Sequence, residues 1–361
     1  MTRLSLGVGA VALAISAGFG FGDPERFFRA YLLGYTFWLC LALGSMGLAF
    51  IQFLTGGVWG LATRRIFEAG ASTMPLLAAL FVPVLIGAPT LYLWTHSPDP
   101  HKAVYLNVPF FDLRAVVYFT VWIILAELLR RGIRLQRLSV IGLLLLPLTA
   151  SFAAIDWWMS LETEWFSTLY PPLWCMVSLL IALAFAIVVV TVLAERRPLR
   201  NVMGPRVLND LGSLLLAFLL LWAYMTYFQY MLIWSGNLTD EITWYTRRAE
   251  GGWLPVAWFL VGGGFLAPFW VLLFRGLKRS RRWLGAVAGW LLLVQLVDIV
   301  WLIEPAFAAD GPVLDWLPPL LWIGVGGLWL AMFAWRLMAA PLLPLDDPRL
   351  EPALDQAHAT A

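Results

Sequence analysis

Ten long apolar runs divide the chain, at 4–21, 30–55, 72–95, 109–130, 137–157, 170–194, 210–235, 252–275, 282–304 and 313–338, with polar residues gathered between them. Each run can cross about 30 Å of hydrocarbon as a helix. None alternates with the period of a barrel strand, and backbone amides in lipid must be paired within their own segment, so the runs read as helices. The pattern predicts an all-α integral membrane protein of about ten transmembrane helices. The spanning domain is expected over 1–340, followed by a mobile tail over 341–361 that is rich in Pro, Asp and Ala.

The basic residues give the runs a direction. Of 24 Lys and Arg residues, 18 fall in the connections of one side: Arg3, the clusters Arg64–Arg65, Arg130–Arg137, Arg196–Arg206 and Arg275–Arg282, and then Arg336 and Arg349. Five fall on the other side, Arg26, Arg29, Lys102, Arg247 and Arg248, and Arg114 lies inside the fourth run. The rich side is expected to be cytoplasmic. That places both termini on the cytoplasmic side of a membrane. The first run follows Thr2 and Arg3 and could be a signal peptide, with Ala10–Ala12 or Ala12–Ala14 as weak cleavage sites. A retained anchor helix is the preferred reading.

Composition agrees. Hydrophobic residues make up 61% of the chain, and the mean hydropathy is +0.81, more apolar surface than a soluble fold hides. The net charge of +2 is explained by topology and calls for no nucleic acid. Cys40 and Cys175 both lie within apolar runs, with no CxxC or Cys/His cluster, so no zinc site, iron–sulfur site or covalent haem is expected. His96, His101 and His358 all lie outside the runs, so axial ligands for a b-type haem are not expected within the bundle. Electron chemistry here would need metal centres in a partner.

Pro83, Pro147 and Pro268 fall within runs and are expected to bend their helices. Gly262–Gly264, just before Pro268, marks the eighth helix as the best candidate for a break that lines a site or merely serves packing.

The chemistry concentrates on the side poor in Lys and Arg. Its connections, 96–114, 155–168, 234–248 and 303–316, carry acids, amides and histidine beside Trp and Tyr. A belt of interfacial aromatics explains the rings. It does not explain the recurrent polar groups, which suggest a docking surface or the roof of a site. The fifth–sixth and seventh–eighth connections resemble each other weakly in Trp, Ser and acids.

Several ionisable groups sit at or below these loops. Arg114 lies one turn inside the fourth helix, Asp156 ends the fifth, and Glu304 ends the ninth. Asp298 lies roughly 9 Å short of the external end of the ninth helix. Glu127, near the other end of the fourth helix, can snorkel. Charges at such depth face a bundle interior or water. They form either a structural ion pair, Arg114 with Asp298 or with Asp156, or a proton route or polar ligand site. His101, Asp156, Glu162 and Glu304 are candidate proton acceptors. Asp298, Arg114 and Tyr227 form a deeper polar set. On the seventh helix, Tyr227, Tyr230 and Trp234 share one face at i, i+3 and i+7, with Asn237 beyond. Such a face suits a quinone ring, which needs stacking and hydrogen bonds, and it suits ordinary helix packing as well.

Five stretches carry a family resemblance: GYTFWLCLALGSMGLAFIQFLTGGVWGLATRRIFEA (34–69), HKAVYLNVPFF (101–111), ASFAAIDWWMSLETEWFST (150–168), FQYMLIWSGNLTDEITWYTRR (228–248) and LVDIVWLIEPAF (296–307). The chain resembles the second quinone-type membrane subunit of alternative complex III, a bacterial quinol:cytochrome c oxidoreductase, which is similar to the NrfD/polysulfide-reductase type of membrane protein. The resemblance implies ten helices with two four-helix bundles at the centre. It implies a paralogous membrane subunit, a periplasmic iron–sulfur subunit and c-type haem subunits as partners. It also implies oxidation of a quinol such as menaquinol on the periplasmic side, and proton movement through the membrane subunits. One departure stands out. Where the family pattern continues Pro-His after Ser-Leu-Glu, this chain has Thr163 and Glu164 after Glu162. Two other readings stay open: a secondary transporter, and an anchor for peripheral redox subunits.

Overall fold

The computed structural model describes residues 2–97, 99–195 and 203–343, and every regular element among them is helical. Arg196, Arg197, Arg200, Arg349, His358 and the tail from residue 344 lie outside the described residues. Leu342 and Leu343, at the head of the expected tail, pack against the core.

The helices are α1 (Thr2–Gly20), α2 (Pro24–Thr55), α3 (Val58–Ala71), α4 (Met74–Ile86), α5 (Ala88–Leu91), α6 (Val108–Arg130), α7 (Leu135–Trp157), α8 (Tyr170–Leu193), α9 (Pro205–Gly236), α10 (Thr239–Ala249), α11 (Trp253–Phe259), α12 (Ala267–Leu273), α13 (Arg275–Lys278), α14 (Arg281–Ile303) and α15 (Leu317–Met338). Nine spans among the described residues are long and apolar enough to cross a membrane, and a tenth is complete if the pair Trp59–Ala71 and Met74–Ile86, bent by 42°, counts as one.

The bent pair adds a helix, α3, ahead of the expected third run, which begins at residue 72. Arg64 and Arg65 pair with Glu68 at 2.8 and 3.4 Å, and Arg65 also donates to the Arg336 carbonyl at 2.6 Å. The bend falls where the Ser72 and Thr73 hydroxyls bond back to the carbonyls of Glu68 and Gly70, and where Pro75 supplies no N–H. Pro147 leaves α7 continuous, and Pro83 sits one turn before the end of α4. Ahead of Pro268 the predicted break takes the form of a π-helical segment, Leu260–Leu266, through Gly262–Gly264.

Among the spans, α2 contacts α3–α4, α7, α8 and α15; α6 contacts α4 and α7; and α14 contacts α8, α9 and α11–α12. At the centre α2, buried without interruption from Ala30 to Phe50, lies on α8. Gly44 permits this approach, because a Cβ there would run into the backbone of Ser178. On the flank, α1 packs on α15 with Gly9 against Gly324 and Gly327.

Contacts between distant loops define one aromatic end of the molecule. Lys102 donates to the Thr163 carbonyl at 2.7 Å, Gly252 to the Asp310 carbonyl at 3.0 Å, and Trp253 Nε1 to the Ala308 carbonyl at 2.8 Å. At the opposite, arginine-rich end, Arg281 pairs with Glu195 at 2.5 Å and Lys278 donates to Ser213 at 3.1 Å.

Candidate functional site

A buried ion pair at the aromatic end joins α6 to α7. Nε and NH2 of Arg114 donate to the two carboxylate oxygens of Asp156 at 2.8 and 3.0 Å, and the Tyr118 hydroxyl donates to the same carboxylate at 2.8 Å. NH1 of Arg114 reaches the Tyr105 carbonyl at 2.9 Å. The guanidinium also lies over the rings of Tyr105 and Phe110, at 3.9 and 4.3 Å from their centroids. A fork-shaped cation on a carboxylate fills both oxygens. Of the two pairings open from sequence, Arg114 takes Asp156 and not Asp298.

Asp298 is 2% exposed and accepts a hydrogen bond from Trp222 Nε1 at 3.1 Å. Among the described residues it forms no ion pair. The two acids that sequence grouped at similar depth therefore have different surroundings: Asp156 meets a cation, Asp298 a neutral indole.

Above them lies a second ion-pair cluster. Glu162 accepts from Arg248 at 2.9 Å and from Arg247 at 3.1 Å. Arg248 is only 1% exposed and also donates to the carbonyls of Trp244, Trp301 and Leu302 at 2.9, 3.2 and 2.9 Å. Burial pulls its guanidinium below the ordinary arginine pKa, while the charge of Glu162 opposes that shift. Its guanidinium lies 3.6 Å from the ring centroid of Trp244, which stacks on Trp165 at 4.8 Å. Both rings belong to loops that the sequence left without regular structure. α10 forms there because Asp240 and Glu241 occupy its first turn and Arg247 and Arg248 its last, each sign suited to that helix end. Sequence reasoning passed over Arg248 because it is a loop arginine by position. The signal was the pair of adjacent arginines on the side otherwise poor in them.

A cavity of about 370 Å³ opens at the same end, between the start of α2 and the α14–α15 connection. Arg26, Arg29, Glu304, Phe307 and Asp315 line it. Arg26 holds Asp315 through two bonds, at 2.8 and 2.6 Å, Arg29 pairs with Glu25, and the Arg29 guanidinium lies over Phe307 at 4.9 Å. The Arg26 guanidinium holds the Asp315 carboxyl below the usual carboxylate range. Glu304, a sequence candidate, faces this cavity with no ion pair among the described residues.

The remaining candidates stand apart. Tyr227 and Trp234 are each 61% exposed and Tyr230 is also exposed, so this face of α9 points away from the chain's own core. Tyr230 stacks on Trp234 at 5.7 Å and meets the edge of Tyr245 at 5.3 Å. Asn237 takes a left-handed conformation, φ 47°, and ends α9; a short polar side chain tolerates that backbone. His101 is exposed, its backbone N–H bonded to Asp99 at 2.9 Å. The structure thus gathers Arg114 with Asp156, and Glu162 with Arg248. It leaves Tyr227, Trp234, Asn237 and His101 outside those clusters. No family model matches the chain, and no curated protein matches it either.

Proposed function

We propose that this chain is a membrane subunit of a quinol:cytochrome c oxidoreductase of the alternative complex III type, and that it supports quinol oxidation at its aromatic end. One observation carries the reading. The stretches 101–111, 150–168, 228–248 and 296–307, far apart in sequence, converge on that end through Lys102–Thr163, Glu162–Arg248 and Arg248 on the carbonyls of Trp301 and Leu302. These are the segments on which the family resemblance rests, apart from the one in α2 and α3. Loss of two electrons and two protons turns a quinol into a quinone. The electrons pass to c-type haem and iron–sulfur subunits, and the protons need acceptors. Glu304, in a cavity wide enough for a small ring and bordered by Arg29 and Phe307, is the acceptor best placed to meet one.

On this reading the aromatic end faces the periplasm, and both termini lie on the cytoplasmic side of a bacterial inner membrane. The exposed aromatic face of α9, with Tyr227 and Trp234, meets a paralogous membrane subunit. Extraction in a mild detergent tests the proposal. Co-purification with a multihaem cytochrome and an iron–sulfur protein is expected. Recovery of the chain alone, free of cytochrome, would overturn it. That outcome would favour a secondary transporter, for which the π-helical segment Leu260–Leu266 provides a broken span.

A further inference from the structure

The ends of α7 and α14 carry the same spacing of acids. Asp156 is followed six residues later by Glu162, and Asp298 six residues later by Glu304. A 3-10 turn lies beside the second acid in each case, Met159–Leu161 just before Glu162 and Glu304–Ala306 starting at Glu304. The following span then opens on two prolines and a tryptophan: Pro171, Pro172 and Trp174 in α8, and Pro318, Pro319 and Trp322 in α15. A second correspondence within the chain thus pairs α7–α8 with α14–α15. Asp156 and Asp298 are the first acids of this shared spacing, Asp156 at the end of α7 and Asp298 a little over one turn before the end of α14.

Their partners are not equivalent. Asp156 is held by Arg114 and Tyr118, whereas Asp298 has the indole N–H of Trp222. One turn from Asp298 on the same face of α14, Gln295 is fully buried, and neither its amide nitrogen nor its oxygen has a hydrogen-bond partner. On α9, Gln229 lies two turns beyond Trp222 on the same face, buried, with its Oε1 also unpartnered. The groups around Asp298 can be named. α9 brings Trp222 and Gln229, and α8 brings the Tyr170 phenol, which stands in the fields of Asp298, Arg248 and Glu162. α2 and the π-helical segment bring no charge whose influence reaches it among the described residues. Past Gln295 toward the arginine-rich end, the buried face of α14 is apolar: Val294, Leu291, Ala288, Val287 and Leu284.

An ionised carboxylate enclosed without a cation is far less stable than one that has taken a proton. Buried amides without partners are where internal water sits. We infer that Asp298 is a proton-binding site, served by water held on Gln295 and Gln229 and reached from the aromatic end, while Asp156 is its locked counterpart. The carboxylate takes one proton from a hydronium ion of that water, leaving a carboxylic acid and a water molecule, and the reverse step returns it. This inference does not depend on quinol being the substrate.

Infrared difference spectroscopy on the full chain in lipid nanodiscs, with the pH stepped in H2O and in D2O, tests it. Expected is a protonated-carboxyl C=O band that appears on acidification and shifts in D2O. It is lost in Asp298→Asn, and Gln295→Leu slows its deuterium shift at least several-fold. Should Asp298→Asn fail to assemble, Asp298→Glu carries the test, with a displaced band expected. A wild-type sample without such a band at any pH overturns the inference. So does a band unchanged in Asp298→Asn, or in Asp298→Glu if only that variant folds.

Discussion

Arg114 grips both carboxylate oxygens of Asp156, and the pair lies below the loops of the aromatic end with the acid fully buried. Removing one partner of a buried pair leaves a charge with no counterion, which costs about 3–5 kcal/mol, whereas apolar replacement of both is often near neutral. Arg114→Leu and Asp156→Leu should each lower the thermal unfolding temperature in detergent steeply. The double variant should recover most of the loss. Additive losses would mean that the two residues are not coupled.

Arg248 ties α10 to the α7–α8 loop and to the end of α14 through three acceptors, Glu162 and the carbonyls of Trp301 and Leu302. A lysine carries the charge but not the planar fork. Arg248→Lys should therefore release α10, read as faster proteolytic cleavage between residues 237 and 252 and a red-shifted Trp244 emission. Arg247→Lys, at the exposed arm of the same cluster, should leave both readouts near wild type.

Gly44 and Gly18 give a contrast in packing. A side chain at Gly44 collides with the α8 backbone, while Gly18 has nothing within 4 Å of where its Cβ would stand. Gly44→Val should abolish or sharply reduce the yield of monodisperse protein, and Gly18→Val should leave it unchanged. Equal yields would mean that the α2–α8 contact is looser than described.

Asp315 provides a pH dependence. Arg26 holds its carboxyl below the ordinary value of about 3.9. The contribution to stability is thus complete above that value and is lost as the pH falls through the lower, folded one. Arg26 is about half exposed, so solvent screens the pair and the effect is small. Thermal unfolding between pH 5 and 2 should show a shallower acid-side decline in Asp315→Asn than in wild type.

Orientation is open to chemical labelling. Glu164 is exposed at the aromatic end and Arg279 at the other, while Cys40 is buried and Cys175 half-buried within helices. In intact cells, Glu164→Cys should react with a membrane-impermeant maleimide and Arg279→Cys should not. Inverted vesicles should reverse the result. The opposite pattern would turn the molecule over.

Much of the helical layout was legible because hydropathy is a property of single segments. The apolar runs recur as spans, and the three glycines at 262–264 already marked the irregular stretch of the eighth. The helix α3, ahead of the third run, was taken for a connection because Arg64, Arg65 and Glu68 look like a loop until their mutual pairing is known. The site was legible as a list of residues but not as pairs. Tyr227, Tyr230 and Trp234 do share a face of α9, yet periodicity cannot tell an inward stripe from an outward one.

Sequence alone determined that this protein is a bundle of membrane-length helices with an arginine-rich end and an aromatic, acid-bearing end. Both follow from local composition matched against lipid and water. The tertiary structure decided which charges meet: Arg114 with Asp156 across 42 residues, Arg248 with Glu162 across 86, Arg26 with Asp315 across 289. It also decided that Asp298 meets no cation among the described residues. Such pairings depend on how helices rotate and pack against one another, and no pattern along a single segment records that.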